Sequence, residues 1–440
     1  MKKQNRGSNL SSYKLLILAF TLLIVFTSIT GCAKKEAPVA KTPTIKVAVA
    51  GPMAFVHGDH KWKGAVLAAE EINAAGGVRV GDEKRLIELV KVDTNELLSV
   101  PDAASAIERA ITVDKVDVIV GGFRSEAVLA MQDVAMDHKI LHLGVGAITH
   151  DLTDKVVSNY DRYKYYFRTV PFKAGDVITT SFLLLQEAAA VVREELGIPV
   201  PKVAILVEKV LGFDPVAAAA PQAIPTMGME VVGTVWRPSQ TATDVTAELT
   251  AIRESGAHII YSILSGPVGI VYARQWEEMQ IPAVSIGINV EAQAGGFWQS
   301  TGGKGNYETT LSFLSRVAVT EKTIPFYDKF LATYKEAPLY LAGSYDTIYM
   351  LAEAIERAGS LDSDALVVEM EKTDYIGTSG RFVFDERHDP KWGPQFQAGL
   401  GVQWIDGKQV VFWPFGWQGV KHEGAVRYTI PPWVVKHWKQ

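Results

Sequence analysis

The residues best placed to bind a ligand follow two short apolar runs between positions 116 and 149. The first run, VDVIVGG, leads into Phe123, Arg124, Ser125 and Glu126, and the second, ILHLGVGAIT, contains the small residues of 144–148. The segment between them has apolar residues at helical spacing, so the pattern predicts a strand, a helix and a strand of a parallel sheet. Ligands bind beyond the carboxyl ends of such strands, where helix N-termini offer free N–H groups to anions. The two turns therefore predict half of a small-molecule site.

Ser125 carries the most specific chemistry in these turns. We expect it at the N-cap of the helix, where its hydroxyl and the free backbone N–H groups can bind a carboxylate. The alternative is a helix cap that contacts no ligand.

Enzyme chemistry has little support in the sequence. There is no G-x-S-x-G elbow, no Walker A motif and no G-x-G-x-x-G at a strand end. His57 and His60 are close together, but the chain has no cluster of Cys and His that would complete a metal site. We therefore expect neither catalysis nor a metal or other cofactor.

The composition is that of an ordinary folded protein. The chain has 440 residues, of which 48% are hydrophobic and 21% charged, and this length predicts one to three domains. The net charge of −5 gives no basic signature, so nucleic acid is not an expected partner.

The N-terminus has the pattern of a secretion signal. Four basic residues precede or border an apolar run from 15 to about 29, and Ile29-Thr30-Gly31-Cys32 follows, which resembles a bacterial lipobox. Cys32 is the only cysteine, which fits a lipid attachment point. We expect a signal peptide over 1–31, a lipidated tether over 32–44, and no later segment long and apolar enough to span a membrane. The alternative is a signal anchor with an incidental cysteine.

Strands and helices alternate twice along the rest of the chain. IKVAVAGP begins the first series, which ends near 149, and PKVAILVE begins a second series that ends near 289. Repetition of this pattern predicts two α/β lobes, each with a mostly parallel sheet. Antiparallel strands with Asp-Gly turn chemistry are expected after 380. Five tryptophans between 404 and 438 could line a ligand or partner surface, although packing of an appended tail is the favoured interpretation.

Several of these segments together resemble one protein family. The Gly-Pro turn after the first strand, the helix GAVLAAEEINAAGGV, the strand end D-T-N and the later YFRTVP are similar to the leucine/isoleucine/valine-binding proteins, over 45–414. These are the type I extracytoplasmic solute-binding proteins of ABC importers. The resemblance implies two Rossmann-like lobes joined by a three-crossing hinge that close over a ligand like a flytrap. We expect 45–172 plus about 315–378 in lobe one, and 173–314 plus about 379–440 in lobe two.

The resemblance also implies roles for site residues in lobe one. Ser125 would bind the ligand carboxylate, and the backbone of Gly146 and Ala147 would approach the ligand, while Ile148 replaces the usual threonine and makes the wall apolar. Lys173 stands where amino-acid binders of the family usually have an aspartate for the ligand ammonium.

A cation at that position would repel an ammonium group. With Arg124 and His57, Lys173 could form a cationic rim for a carboxylate that lacks an α-ammonium, such as an organic or aromatic acid. Alternatively, Arg124 and Lys173 point to solvent or pair with Asp59 and Asp176, or Asp176 replaces the missing aspartate.

In lobe two, contacts are expected from three strand ends, around 211–213, 264–265 and 289–291. Phe213 could wall the pocket, and Ser265 and Asn289 are the further candidates. If Glu291 rather than Asn289 faces the cleft, an amino acid returns as a ligand.

We therefore expect an extracytoplasmic solute-binding lipoprotein, monomeric, held to the membrane only by its lipid, with ABC permease and ATPase subunits as partners. A sensor module for a signalling partner, an amino-acid binder of the same family, and a secreted α/β enzyme are the alternatives.

Overall fold

The computed structural model describes residues 43–439, which form eighteen strands and fourteen α-helices. The expected signal peptide, Cys32 and nearly all of the tether lie outside the described residues.

The strands are β1 Ile45–Gly51, β2 Val78–Val80, β3 Glu83–Arg85, β4 Ile87–Asp93, β5 Val118–Gly121, β6 Leu141–Val145, β7 Tyr166–Val170, β8 Lys202–Val207, β9 Glu230–Trp236, β10 Ile259–Leu264, β11 Val284–Asn289, β12 Thr309–Ser312, β13 Asp374–Ile376, β14 Arg381–Val383, β15 Leu400–Ile405, β16 Lys408–Trp413, β17 Phe415–Trp417 and β18 Val420–Lys421. The helices are α1 Val56–Ala74, α2 Val100–Thr112, α3 Ser125–Asp137, α4 Asp151–Ser158, α5 Tyr160–Tyr163, α6 Ala174–Leu196, α7 Asp214–Thr226, α8 Thr246–Glu254, α9 Val268–Glu278, α10 Phe297–Ser300, α11 Thr323–Tyr334, α12 Ser344–Ala358, α13 Ser363–Glu371 and α14 Pro432–Trp438. Short 3₁₀ helices cover Leu211–Phe213, Glu291–Gln293 and Tyr340–Gly343.

Two parallel sheets form the framework. The first has the strand order β4-β1-β5-β6-β7 and the second has the order β11-β10-β8-β9. Strands β5, β6, β7, β10 and β11 are buried along their whole length, as expected for apolar runs covered by helices on both faces. We call the part of the chain built on the first sheet lobe one and the part built on the second lobe two. The predicted α/β class is confirmed.

A third, antiparallel sheet extends lobe two. It has the order β12-β15-β16 and lies beside β11, where the Thr309 hydroxyl donates to the Ser285 carbonyl at 2.9 Å. Asp406 and Gly407 form the turn between β15 and β16, in agreement with the predicted Asp-Gly turn chemistry.

Helices α11 and α12 pack beside α1 of lobe one. Phe326 and Phe330 of α11 share an apolar cluster with Leu67 of α1, and Tyr345 and Tyr349 of α12 both donate to the Glu71 carboxylate at 2.6 Å. The exact division of the chain between the lobes stays a prediction.

The C-terminal tryptophans pack against lobe two. The indole N–H groups of Trp433 and Trp438 in α14 donate to the backbone carbonyls of Ile281 and Pro282 at 3.0 and 2.6 Å. A polar tip that finds a partner while the ring is covered is the usual arrangement of a packed tryptophan.

One helix differs from the expectation about membrane segments. Helix α6 is long and apolar enough to cross a membrane by length and composition alone, whereas the sequence predicted no such segment after the signal. Half of its most apolar window is buried inside the protein, and the helix packs against β11 and β12. The apolar residues of α6 therefore pack against other parts of the fold.

A buried ion pair holds together three segments of the chain. The Arg168 guanidinium donates to Asp389 at 2.6 Å, and neither side chain has any exposed surface. The same guanidinium donates to the carbonyls of Ala147 and, at 2.7 Å, Thr149, while the second Asp389 oxygen accepts from Thr153 at 2.8 Å. The pair thus ties β7, the turn after β6 and the segment before residue 390 into one unit.

We expect Asp389→Ala to lower the free energy of unfolding by about 3–5 kcal/mol, because it leaves a buried guanidinium without its counter-charge. Urea titration followed by circular dichroism measures the change. The matched control is Asp328→Ala, which removes the partner of Arg316 in an exposed pair and should have little effect. Equal losses in both variants would contradict the role of the buried pair.

Candidate functional site

A cavity lies between the two parallel sheets, at the carboxyl ends of their strands. Its volume is about 620 Å³ when the open mouth is included. Segments that follow β5, β6 and β7 in lobe one and β8, β10 and β11 in lobe two contribute to its wall. The lining residues are Phe123, Arg124, Ser125, Glu126, Gly146, Ile148, Pro171, Val177, Val210, Gly212, Phe213, Gln240, Ser265, Ile288, Val290, Gln293, Phe313 and Tyr340.

Ser125 lines the cavity as the first residue of α3 rather than as its cap. Arg124 occupies the N-cap position, with extended backbone and no capping hydrogen bond from its side chain. Because Ser125 is not used as a cap, its hydroxyl makes no hydrogen bond within the described part of the chain. A hydroxyl at a helix N-terminus that faces an apolar cavity is a suitable anchor for a carboxylate.

An internal carboxylate already occupies the strand end next to Ser125. Glu96 is fully buried and accepts from the backbone N–H groups of Phe123 and Arg124 at 2.8 and 3.0 Å. The buried Lys61 ammonium lies in the same region and donates to the Ala50 carbonyl at 3.0 Å. Burial lowers the pKa of Lys61 to about 8, and the negative charge of Glu96 opposes that shift. These two groups lie behind the cavity wall, so they fix the turn rather than contact a ligand.

The second lobe-one turn approaches the cavity through its backbone. Gly146 has a φ of +131°, and a Cβ there would lie 2.6 Å from the Gly122 carbonyl oxygen, so only glycine fits. Ile148 lines the cavity and supplies the predicted apolar wall. Ala147 does not line it, which differs from the prediction, since its carbonyl accepts from Arg168 instead.

The predicted cationic rim is only partly present. Lys173 does not line the cavity, because its ammonium lies 3.8 Å from Asp176 and 3.4 Å from Asp385. This is one of the alternatives that the sequence left open. Arg124 does line the cavity, where it donates to the Leu97 carbonyl at 3.2 Å. Its Nε lies 3.4 Å from Glu126.

His57 contacts lobe two instead of a ligand. The ring is fully buried against Phe123, and Nε2 lies 3.1 Å from the Ser265 carbonyl and 4.0 Å from the Glu291 carboxylate. Burial lowers the pKa of His57 to about 3, and the positive charge of Lys61 acts in the same direction. A neutral histidine therefore bridges the cleft in this closed form, and a role of His57 toward a ligand stays a prediction.

Of the three residues predicted in lobe two, Phe213 and Ser265 line the cavity, whereas Asn289 does not. Its neighbours Ile288 and Val290 face the cavity, so Asn289 points the opposite way, as the two-residue period of a strand requires. Its amide donates to the Gly269 carbonyl at 3.0 Å and to Glu308 at 2.9 Å.

Sequence reasoning missed a pair of buried carboxylates behind the lobe-two wall. Glu208 follows β8 and accepts from the backbone N–H of Ser265 at 2.6 Å, from its hydroxyl at 3.0 Å and from the N–H of Gly266 at 2.9 Å. Burial raises the pKa of Glu208, and burial together with the charge of Glu208 raises the pKa of Glu291 to about 7. Glu208 directly follows the apolar run VAILV, and this position at a strand end is the feature from which the sequence could have indicated it.

Among residues 43–439, one cluster has the donor atoms for a metal ion. Asp59, His60 and Glu336 each offer an atom within 4.8 Å of the others. The Lys63 ammonium bonds to both carboxylates, so a cation is already supplied by the protein.

The two lobes meet closely over the cavity. A Cβ placed on Gly212 of lobe two would lie 3.3 Å from the Ser125 hydroxyl and 3.6 Å from Ile148 of lobe one. Together with the His57 contact, this spacing describes a cleft that has closed.

The sequence pattern of the periplasmic binding proteins matches residues 45–396. The chain belongs to this family. A Leu/Ile/Val-binding protein homolog of Brucella abortus is 23% identical over 376 residues, which cover 83% of this chain and 89% of the relative.

Two solved structures share the fold. A leucine-binding protein from Thermotoga maritima superposes with a TM-score of 0.69 and 22% identity, covering 84% of this chain and 97% of that one. A solute-binding protein from R. palustris in complex with benzoate has a TM-score of 0.67 and 19% identity, covering 84% and 95%. The predicted resemblance and the two-lobe fold are confirmed, and this periplasmic binding protein is a solute-binding protein of an extracytoplasmic family rather than a member of an enzyme family.

We expect Glu291→Gln to reduce the loss of stability between pH 5 and pH 8. The folded-state pKa of about 7 lies above the ordinary value of 4.5, so the folded protein binds an extra proton between these values. This extra proton stabilises the folded protein fully below pH 4.5, and the stabilisation is lost as the pH rises through 7. At pH 8 the variant should be more stable than the parent by up to about 3 kcal/mol.

Thermal melts of both proteins at pH 5 and pH 8 measure this difference. The control is Glu423→Gln, an exposed residue. Parallel pH profiles for the parent and Glu291→Gln would contradict the assignment.

Proposed function

We propose that this periplasmic binding protein captures a small carboxylate without an α-ammonium group, such as an aromatic or other organic acid, for an ABC importer. The observation that carries the proposal is the free Ser125 hydroxyl at the N-terminus of α3, facing a cavity whose other walls are mostly apolar. A carboxylate would bind the hydroxyl and the helix N–H groups, and its hydrocarbon part would contact Ile148 and Phe213.

The cavity offers little to an ammonium group. Among the lining residues of the described chain, Glu126 is the only carboxylate, and it lies 3.4 Å from Arg124. Lys173 stands in place of the family's aspartate, and Asn289 points away from the ligand. The buried carboxylate pair Glu208 and Glu291 favours protonation of at least one member, which weakens it as a partner for a cation.

A neighbouring surface hollow shares Glu126 and Val210 with the cavity. It is also lined by Lys209, Asp214 and Arg237, and Arg237 pairs with Asp214 at 2.6 Å. Lys209 places a positive charge near the cavity, which attracts anionic ligands. The R. palustris protein of the same fold is in complex with benzoate, which agrees with an aromatic acid as ligand.

An amino acid is the second candidate, because the Brucella relative is a Leu/Ile/Val-binding protein homolog and Glu291 lies just behind the wall. Rotation of its carboxylate toward the cavity would supply an ammonium partner.

The ligand would stabilise the closed form by contacting both lobes at once. We propose that permease subunits recognise this form and that a partner ATPase supplies the energy for transport, with the binding protein acting as a monomer. A signalling partner in place of the permease is the alternative. We also propose that Cys32 carries the lipid that anchors the protein outside the cytoplasm.

We expect benzoate and hydroxybenzoate, but not leucine, to raise the melting temperature of the protein without its first 32 residues. A ligand at about 100 times its Kd adds about 2.7 kcal/mol. Ser125→Ala should weaken acid binding by about 10- to 100-fold in calorimetric titrations, because a hydrogen bond to a charged group is lost.

Ser105→Ala, on the exposed side of α2, is the matched control. Binding of leucine, abolished by Glu291→Gln, would replace the first candidate with the second. Acid binding that survives Ser125→Ala unchanged would remove Ser125 as the anchor.

We expect Cys32→Ala to move the protein from the membrane fraction to the soluble extracytoplasmic fraction of cells that express the full chain. Cell fractionation and labelling with a fatty-acid analogue measure this, and Thr42→Ala in the tether is the control. Retention of the variant in the membrane fraction would favour an uncleaved signal anchor.

A further inference from the structure

A second cavity, open to solvent, shares part of its wall with the ligand cavity. The second cavity has a volume of about 710 Å³ with its mouth included, and among the residues that the structure describes Phe313 lines both spaces. Its wall also includes Ile376 at the end of β13, which is partly exposed, and the buried Leu400 at the start of β15.

Phe313 is held in place by aromatic packing. Its ring is nearly buried and lies edge-on to Phe172 at 4.8 Å and to Tyr340 at 5.2 Å between ring centroids. Tyr340 also lines the ligand cavity, so the aromatic cluster that holds Phe313 is part of the wall that a ligand would touch. Phe313 therefore lies in the wall that the two cavities share.

The second cavity suits an uncharged group. Its one guanidinium, Arg381, is committed to both oxygens of Asp374 at 2.6 and 2.5 Å. Burial lowers the pKa of His422, which disfavours a second cation there. The remaining wall has the uncharged polar residues Thr320, Ser379 and Gln395. It also has Val319, Ile376 and Leu400, which can cover an alkyl or aryl chain.

We propose that Phe313 sets the length limit of the ligand, and that the second cavity is a subsite for the uncharged tail of a longer carboxylic acid once this side chain is removed. The proposal rests on the proposed function for the position of the ligand head group. It assigns Phe313 as a specificity-determining residue that contacts the end of the ligand opposite to Ser125.

Two parallel ligand series test length and head group separately. One series is benzoate, phenylacetate, 3-phenylpropanoate and 4-phenylbutanoate, and the other is phenylglycine, phenylalanine and homophenylalanine. The parent protein should bind the short members of one series and lose affinity with each added methylene. Phe313→Ala should gain affinity for the longest member of that series by about tenfold or more, while its affinity for the shortest member falls.

Three further variants complete the test. Phe313→Leu is a milder change if the alanine variant fails to fold, which thermal melts report. Phe384→Ala, a buried phenylalanine that lines neither cavity, controls for general loosening of the core. Phe313→Ala combined with Ile376→Trp refills the second cavity and should lose the gain.

The outcomes separate the two proposals. Binding of the ammonium series instead of the acid series contradicts the proposed ligand class and leaves the length test intact. Unchanged length preference in both Phe313 variants, or an equal gain in Phe384→Ala, overturns the role of Phe313. A gain that persists in the Ile376→Trp double variant overturns the assignment of the second cavity as the subsite.

Discussion

A fully buried guanidinium holds the ligand cavity together. Arg168 reaches from β7 to the carbonyls of the turn after β6 and to Asp389, so one side chain fixes the turn that carries Gly146 and Ile148 and joins it to a segment more than 200 residues away. A charge of this kind is stable in the interior only when each of its donors has a partner, so the turn, the strand and the distant segment must be correct together. The Gly146 backbone can then lie close to a ligand without relying on the ligand for its shape.

The cavity wall and the layer behind it have opposite characters. The surface that faces the cavity is mostly apolar, with Arg124 and Glu126 as its charged residues, whereas the layer behind it contains the buried groups Lys61, Glu96, Glu208 and Glu291. Of these, Lys61, Glu96 and Glu208 bond to backbone atoms near the strand ends and hold them in place. Residues that can contact a ligand thus lie one layer in front of the residues that hold the strand ends. This arrangement explains why polar residues found near strand ends do not all contact a ligand.

That separation also marks where sequence reasoning succeeds. Strand ends are visible as apolar runs that stop at glycines, so the turns at Ser125, Gly146 and Ser265 could be located from the sequence alone. The side that each side chain faces depends on register and on partners from distant segments. Lys173 lies beside Asp176, as one alternative had it, and also beside Asp385, a partner more than 200 residues later that the sequence could not indicate. Asn289 donates to Gly269 and Glu308 instead of lining the cavity, and these contacts are equally invisible in the sequence. The short helices α4 and α5 were missed, since their polar sequence has no clear apolar period.

Two of the contacts across the cleft use the backbone of lobe two. His57 reaches the main-chain carbonyl of Ser265, and Gly212, which has no side chain, lies opposite Ser125 and Ile148. Neither lobe-two partner depends on a side chain of its own. Side chains elsewhere in the cavity wall can therefore change in evolution while these two contacts stay the same. A family built in this way can acquire new ligands by single substitutions in the wall without losing its closed form.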